Sequence, residues 1–224
     1  MRELARTSRS GKNSGESGIP IQVLTFGGFE LWVGSFKVPD GAWRGSRVKH
    51  LAAHVAISPK PVHAERLLEL FWPESEEKGR RGLQSALTVI RGACRDSEEV
   101  AGRSILVREA ECVGFPEPFQ RWVDCHEFDS LLQQAAQSSN LEQRCNLLQR
   151  AIELYKGPFL EGCFLDWALD LQNSYEQLAL QALLELAEAE LGLQRWLPAL
   201  QSANRALRID PFHVRAAGAA IKSH

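Results

Sequence analysis

Leu70-Phe-Trp-Pro-Glu-Ser-Glu-Glu-Lys-Gly-Arg-Arg-Gly-Leu-Gln-Ser-Ala-Leu-Thr-Val-Ile-Arg-Gly-Ala-Cys-Arg95 decides how this chain folds, because its last sixteen residues carry two faces of opposite character. Leu83, Leu87, Ile90 and Cys94 follow one another at steps of four, three and four, the spacing of a single helical stripe that has to be buried. Arg81, Gln84, Thr88, Arg91 and Arg95 recur on the other side, a face without an acid. Guanidinium groups pair with phosphate, and Gln and Thr reach base edges, so this composition suits a helix that reads DNA. A solvated amphipathic helix with a basic surface has the same pattern, and the neighbouring sequence has to separate the two.

Upstream of that helix, Ile21 to Phe26 and Phe29 to Val33 alternate as strands parted by Gly27-Gly28, and Phe36 to Val38 runs into an Asp40-Gly41 turn. Trp43 to Ile57 is helical in pattern, with Val48, Leu51, Ala52 and Val55 on one side, and Ser58-Pro-Lys-Pro61 stops it. Val62 to Trp72 forms a second helix through Leu67, Leu68 and Phe71, closed by Pro73. Downstream, Ser104 to Arg108 and Phe119 to Val123 bracket a turn-rich segment with Gly114, Pro116 and Pro118, which suggests a hairpin. Strands, three helices and a terminal hairpin make a winged helix-turn-helix, in which the third helix enters the major groove and the hairpin lies on the flanking backbone.

After Asp124 the composition changes to Leu, Ala, Gln and Glu, and the pattern is helical over roughly 126–137, 140–155, 166–193, 195–208 and 212–222. Leu186, Ala187, Ala199, Ala206 and Asp210-Pro211 follow a tetratricopeptide register, a helix pair that stacks on its neighbours. The expected fold is therefore an α+β winged helix-turn-helix over residues 19–124, followed by an all-α tetratricopeptide-like domain over 125–224. Residues 1–18, rich in Ser, Gly, Arg and Lys, are expected to form a disordered tail.

The length of 224 residues admits one or two domains, and 44% hydrophobic residues is the share of an ordinary globular protein. No apolar run approaches the ~20 residues that span a bilayer, and the N-terminus has no signal-peptide core, which points to a cytoplasmic protein. Five cysteines without repeated close spacing fit a reducing compartment better than a disulfide framework. The net charge of -2 divides into +2 for Met1 to Asp124 and -4 for the remainder, so DNA binding depends on where the charges lie rather than on their sum.

Trp72-Pro73 ahead of the third helix, Ile105 to Val107 in the hairpin, and Val123-Asp124 followed by Phe128 resemble the DNA-binding domain of the Streptomyces antibiotic regulatory protein family. Leu154-Tyr-Lys-Gly-Pro-Phe-Leu-Glu-Gly162, then Trp167 and a long helix through Leu191, is similar to the bacterial transcriptional activator domain that follows it in that family. The resemblance covers about residues 21–217 in order. It implies a transcriptional activator that binds promoter DNA, often at direct repeats, and helps recruit RNA polymerase. It places Arg81, Gln84, Ser85, Thr88, Arg91 and Arg95 on the recognition helix and Arg108 on the wing. The loop around Glu74, Glu76 and Glu77 falls where related winged helices meet polymerase. The family's direct-repeat sites imply a homodimer, for which Val214, Ala217 and Ile221 on a last helix offer an apolar stripe. Burial of that stripe against residues 195–208 is the other expectation.

The hairpin departs from the family in carrying Glu109, Glu111 and Glu117 with only Arg108 and Arg121 to offset them, and Cys112-Val-Gly-Phe115 stands where a Gly-Tyr pair is usual. That acidity motivates an alternative, a protein-interaction adaptor whose winged helix no longer binds DNA. A small-ligand sensor using the groove between the domains is a third reading.

His50 and His54 have a metal-ligand spacing, but position 51 is Leu and no third ligand is near, so no metal and no cofactor is expected. Cys125-His126 is an isolated pair. Cys94, Cys145 and Cys163 fall on apolar faces as small core residues. Trp43, Trp72, Trp122, Trp167 and Trp196 are expected to anchor cores. No nucleophile, base and orienting acid can be assembled from neighbours, and an enzyme is not expected.

Overall fold

A computed structural model describes residues 18–95, 97, 104–116 and 119–222. The expected tail therefore lies outside the described residues except for Gly18.

Period-two burial drives the first layer. Ile19, Ile21 and Val23 of β1 (Ile19–Leu24) point inward, as do Leu31 and Val33 of β2 (Glu30–Val33). The two strands pair antiparallel with Ile21 opposite Val33 and Val23 opposite Leu31, and β3 (Phe36–Lys37) adds a short edge. A 3-10 turn over Asp40–Trp43 buries the Trp43 ring against Phe29. Helix α1 (Ser46–Ile57) starts only after Gly45, whose φ of 146° is open to glycine alone, so Trp43 lies ahead of the helix and not in it.

Helix α2 covers Ala64–Phe71 and helix α3 covers Glu76–Ala93. The expected second helix began two residues earlier. Instead Val62–His63 form a short strand, β4, pairing with Cys112 and Val113, and the helix opens where Ala64 N–H donates to the Glu111 carbonyl at 2.7 Å. On α3 the expected stripe is buried: Leu83, Leu87, Ile90 and Cys94 enter the core beside Leu51 and Val55 of α1 and Leu67 and Phe71 of α2.

The hairpin differs from expectation. Its strands are β5 (Val107–Glu109) and β6 (Cys112–Gly114), and the second sheet runs β4-β6-β5. Ala110 and Glu111 both take positive φ, the conformation of a tight two-residue turn normally signalled by Asn or Gly, so the sequence hid it. Phe119–Val123, expected as the returning arm, is β7, and it lies parallel to β1 in the first sheet, whose order is β3-β2-β1-β7. Glu117, assigned to the hairpin, is outside the described residues.

β7 ends at Val123 and α4 (Asp124–Gln137) begins at the next residue. Four further helices follow: α5 (Leu141–Leu154), α6 (Asp166–Gly192), α7 (Trp196–Ile209) and α8 (Val214–Lys222). They match the expected segments within a few residues. Small side chains let α6, α7 and α8 approach closely, through Ala187, Ala203 and Ala219. Helix α8 packs through Ala216 and Ala219, so Val214, Ala217 and Ile221 are not buried against α7 as one expectation had it; Val214 is 84% and Ile221 74% exposed. Trp43 is buried and Trp72 and Trp167 are half-buried, whereas Trp122 at 37% and Trp196 at 51% exposure lie outside the buried core.

The two parts of the chain meet at a buried carboxylate. Asp124 accepts hydrogen bonds from Thr25 N–H at 2.7 Å, Thr25 Oγ1 at 2.6 Å, Phe26 N–H at 3.1 Å and Cys125 N–H at 2.8 Å. Burial pushes its pKa up, and those donors pull it back. Around it the family-like segment Leu154–Gly162 clasps the end of β1: Leu160 N–H donates to the Thr25 carbonyl at 2.7 Å and Gly27 N–H to the Pro158 carbonyl at 2.9 Å. Phe26 inserts among the rings of Phe128, Tyr155, Phe159 and Tyr175. On the other side, Trp167 meets His54 edge-on at 4.6 Å, and burial holds the His54 pKa down to about 4, leaving it neutral.

Removing the carboxylate strands several buried donors at once, at about 1–3 kcal/mol each. Asp124→Ala is expected to lower unfolding free energy by at least ~3 kcal/mol, and Asp124→Asn, which keeps one acceptor, by less. Urea titration followed by tryptophan fluorescence checks the order; equal stability of all three proteins would remove the joint's importance.

Candidate nucleic-acid interface

Helix α3 is held by one face and presents the other. Its N-terminus is capped by Ser75, which accepts from Lys78 N–H, and Glu76 and Glu77 occupy the first turn, where negative charge suits the helix dipole. Arg81, Gln84, Ser85 and Thr88 are exposed on the side of α3 away from the buried stripe; Arg95, expected on the same helix, is exposed in the turn just past its end at Ala93. The structure thus brings four of the six residues expected on the reading face to one solvent-facing side of α3, with Arg95 just beyond its C-terminal end. Arg91, the sixth, lies half-buried on the flank, and its Nε donates to the Leu106 carbonyl at 2.8 Å.

Several of these groups already have partners. Arg81 forms an ion pair with Glu77 one turn earlier, and Arg80 pairs with Glu76 at 2.6 Å. Both pairs are exposed, and exposed i,i+4 pairs are too weak to withhold either guanidinium from a polyanion. Thr88 Oγ1 donates to the Gln84 carbonyl at 3.0 Å, which commits its hydroxyl. The Gln84 amide faces solvent.

The wing stands on the flank of α3 that carries Arg80 and Arg91, linked through the bond from Arg91 to Leu106. Its charge is mostly cancelled: Arg108 is paired with Glu111 across the turn, and the same contact holds the Glu111 carboxyl below its usual range. Arg121, counted at sequence level with the hairpin's basic residues, is turned inward. One of its nitrogens donates to the carbonyls of Val55, Ala56 and Ser58, capping the end of α1, and the guanidinium stacks over Phe115.

Trp72 was expected as a core anchor, and its actual part is more specific. A Cβ at Gly82 would lie 2.6 Å from Trp72 Nε1, and one at Gly79 would lie 3.0 Å from Trp72 Cβ. The indole is therefore a plate on which α3 rests through two glycines, setting the angle at which the exposed row leaves the body. Gly79-x-x-Gly82 behind a Trp-Pro pair is the sequence signal for it. Between α2 and the start of α3, Glu65, Leu68, Glu69, Trp72, Pro73 and Glu76 line a shallow acidic trough, and Glu74 is exposed in the turn beside it.

No group of three His, Cys, Asp or Glu residues that could hold a metal ion occurs among the described residues. His50 is half-buried, His54 faces Trp167, and Cys94, Cys125, Cys145 and Cys163 are buried free thiols. No described helix is long and apolar enough to cross a membrane.

The plate yields a paired expectation. Gly82→Ala should destabilise by about 1–3 kcal/mol through collision with the indole, despite the better helix propensity of alanine. Gly92→Ala, whose Cβ would meet nothing within 4 Å, should stabilise by about 0.5–1 kcal/mol. Thermal melts of the two variants decide it, and a stabilised Gly82→Ala would show that the indole does not support the helix.

Residues 123–223 match the family model of the bacterial transcriptional activator domain. No curated protein matches the chain. Among solved structures, EmbR of Mycobacterium tuberculosis in complex with a low-affinity phosphopeptide is similar in fold, with a TM-score of 0.70 at 15% identity over 91% of this chain. The chain spans 54% of that structure's length. The chain thus carries a bacterial transcriptional activator domain over residues 123–223, joined without a linker to a winged helix-turn-helix in an arrangement similar in fold to EmbR.

Proposed function

We propose that the protein binds double-stranded promoter DNA in a sequence-specific manner through α3 and helps recruit RNA polymerase. The observation that carries the reading is the exposed set Arg81, Gln84, Ser85 and Thr88, on the side away from a wholly buried stripe of a helix 18 residues long, with exposed Arg95 just past its end. A helix of this kind fits the major groove, where Gln is suited to adenine and a Thr methyl to the thymine methyl. Arg95, Arg81 and, from its flank, Arg91 supply phosphate contacts. Two copies on direct repeats would form the active assembly, with the exposed stripe Val214, Ala217 and Ile221 as a self-association face.

Replacing Gln84 or Thr88 by Ala is expected to cost about 1–3 kcal/mol on a cognate site and to relax preference at one base position, with random DNA little affected. Arg95→Ala should weaken cognate and random DNA alike and lower the magnitude of the salt slope by about one. Arg91→Ala is a less clean probe, because it also releases the wing. Mobility shifts on the promoter region upstream of the gene, across a salt series, measure all of these. If every variant binds like the parent while remaining folded, α3 does not face DNA and a protein-interaction adaptor becomes the better description.

The acidic turn is the proposed polymerase contact. Glu74 belongs to no ion pair among the described residues, Glu76 borders the acidic trough and pairs with Arg80, and Glu77 is tied to Arg81. Changing all three to Gln should abolish activation in a reconstituted transcription assay and leave DNA affinity within a few-fold. Unimpaired transcription by the triple variant would confine these acids to stabilising the helix start.

A further inference from the structure

A helix lying in the major groove has a phosphate backbone on each flank, and the two flanks of α3 are unequal in charge. On the wing side, Arg80 and Arg108 are each paired, Arg66 pairs with Glu69, Arg91 is tied to the Leu106 carbonyl, and Glu65, Glu109 and Glu111 add negative charge. On the opposite side the head of α1 approaches α3. There Arg44 borders a groove shared with Thr88, Gly92 and Arg95, on a backbone held at φ 53°. One turn on, Arg47 lies 5.8 Å over the Trp72 ring and shares a neighbouring hollow with Lys78 and with one acid, Glu74. Both Arg44 and Arg47 are exposed, and neither belongs to an ion pair among the described residues; the nearby Lys49 is the one that takes Asp40, at 2.6 Å.

We propose that Arg44 and Arg47, with Arg95, are the main phosphate clamp of this protein, and that it does the work normally expected of a basic wing. The inference rests on the reading of α3 as the DNA helix. Three features support it. The flank is cationic where the wing is neutralised. Arg47 is pre-ordered by stacking on the same indole that supports α3, so its charge is placed relative to the reading row with little entropy left to lose. Finally, the groove between Arg44 and Arg95 is lined largely by the small residues Gly41, Ala42, Gly92 and Ala93, beside Pro39, Thr88 and Val89, which favours close approach of a sugar-phosphate strand. The occupant is duplex DNA of either sequence, since phosphate contacts carry no base information.

The test compares the 224-residue chain with Arg44→Asn/Arg47→Gln, and with a charge-matched control, Arg150→Gln/Arg208→Gln, far along the helical domain. Asn is chosen at 44 because it tolerates the left-handed backbone there. Each protein is titrated against the upstream promoter duplex and against a random duplex of equal length over a KCl series. Expected is a loss of about tenfold or more on both duplexes and a fall in salt slope of about two for the clamp variant, with the control like the parent. If the parent binds and the clamp variant matches it within twofold at the same slope, the clamp is overturned while DNA binding by α3 stands. If the parent binds neither duplex, the DNA reading falls and the clamp with it. Should the double variant fail to fold by circular dichroism, Arg44→Asn alone, which removes no packing, must lower the slope by about one; an unchanged slope overturns the proposal.

Discussion

The buried carboxylate of Asp124 is the constraint on which the arrangement of this molecule depends. It sits where the last strand of the first sheet becomes the first helix of the activator domain, and it takes donors from the end of β1 and the start of α4 together. A charged or protonated carboxyl so deeply placed is tolerated only because its acceptor sites are filled. The clasp of residues 154–162 and the aromatic cluster around Phe26 then seal the same joint. With no linker between the parts and a second contact at Trp167 and His54, the winged helix and the activator domain meet as packed surfaces and not as tethered units. The segment that most resembles the family's helical domain is thus the one that holds the winged helix to it.

That rigidity matters for a helix that has to project at a fixed angle. Helix α3 rests on the core through Leu83, Leu87 and Ile90 and on the Trp72 plate through Gly79 and Gly82. Two glycines in a helix cost about 1 kcal/mol each in propensity, so their presence is explained by the close approach they allow. Electrostatics divide the surroundings of the helix into a neutralised wing side and a cationic α1 side, and the acids of the α2–α3 turn lie beyond its N-terminal end. On the proposed function, activation and DNA contact would fall to neighbouring but separate surfaces.

Much was legible in the amino-acid order where a residue's burial depends on its own helix or strand. The stripe of α3, the alternation of β1 and β2, the five activator-domain helices and the exposed row from Arg81 to Arg95 all follow from local periodicity, because a period of 3.6 or 2 commits one face to the core whatever the partner is. The resemblance added the order of the parts, which composition could not supply.

What tertiary structure alone decided concerns partners far apart in sequence. That Phe119–Val123 joins β1 and not the wing is a choice between two open strand edges, and nothing in either strand's pattern distinguishes them. The tight turn at Ala110-Glu111 carried none of the residues that usually betray positive φ. Arg121 and Arg91 look like surface cations in sequence, yet their guanidinium groups bond backbone carbonyls of other elements, because stranded carbonyls at a helix end and before a strand needed donors. Likewise Arg44 and Arg47 belong to no motif, and only the packing of α1 across α3 sets them beside the reading face. Local sequence determined which faces are buried and which are charged; long-range packing decided which charges remain available to a partner.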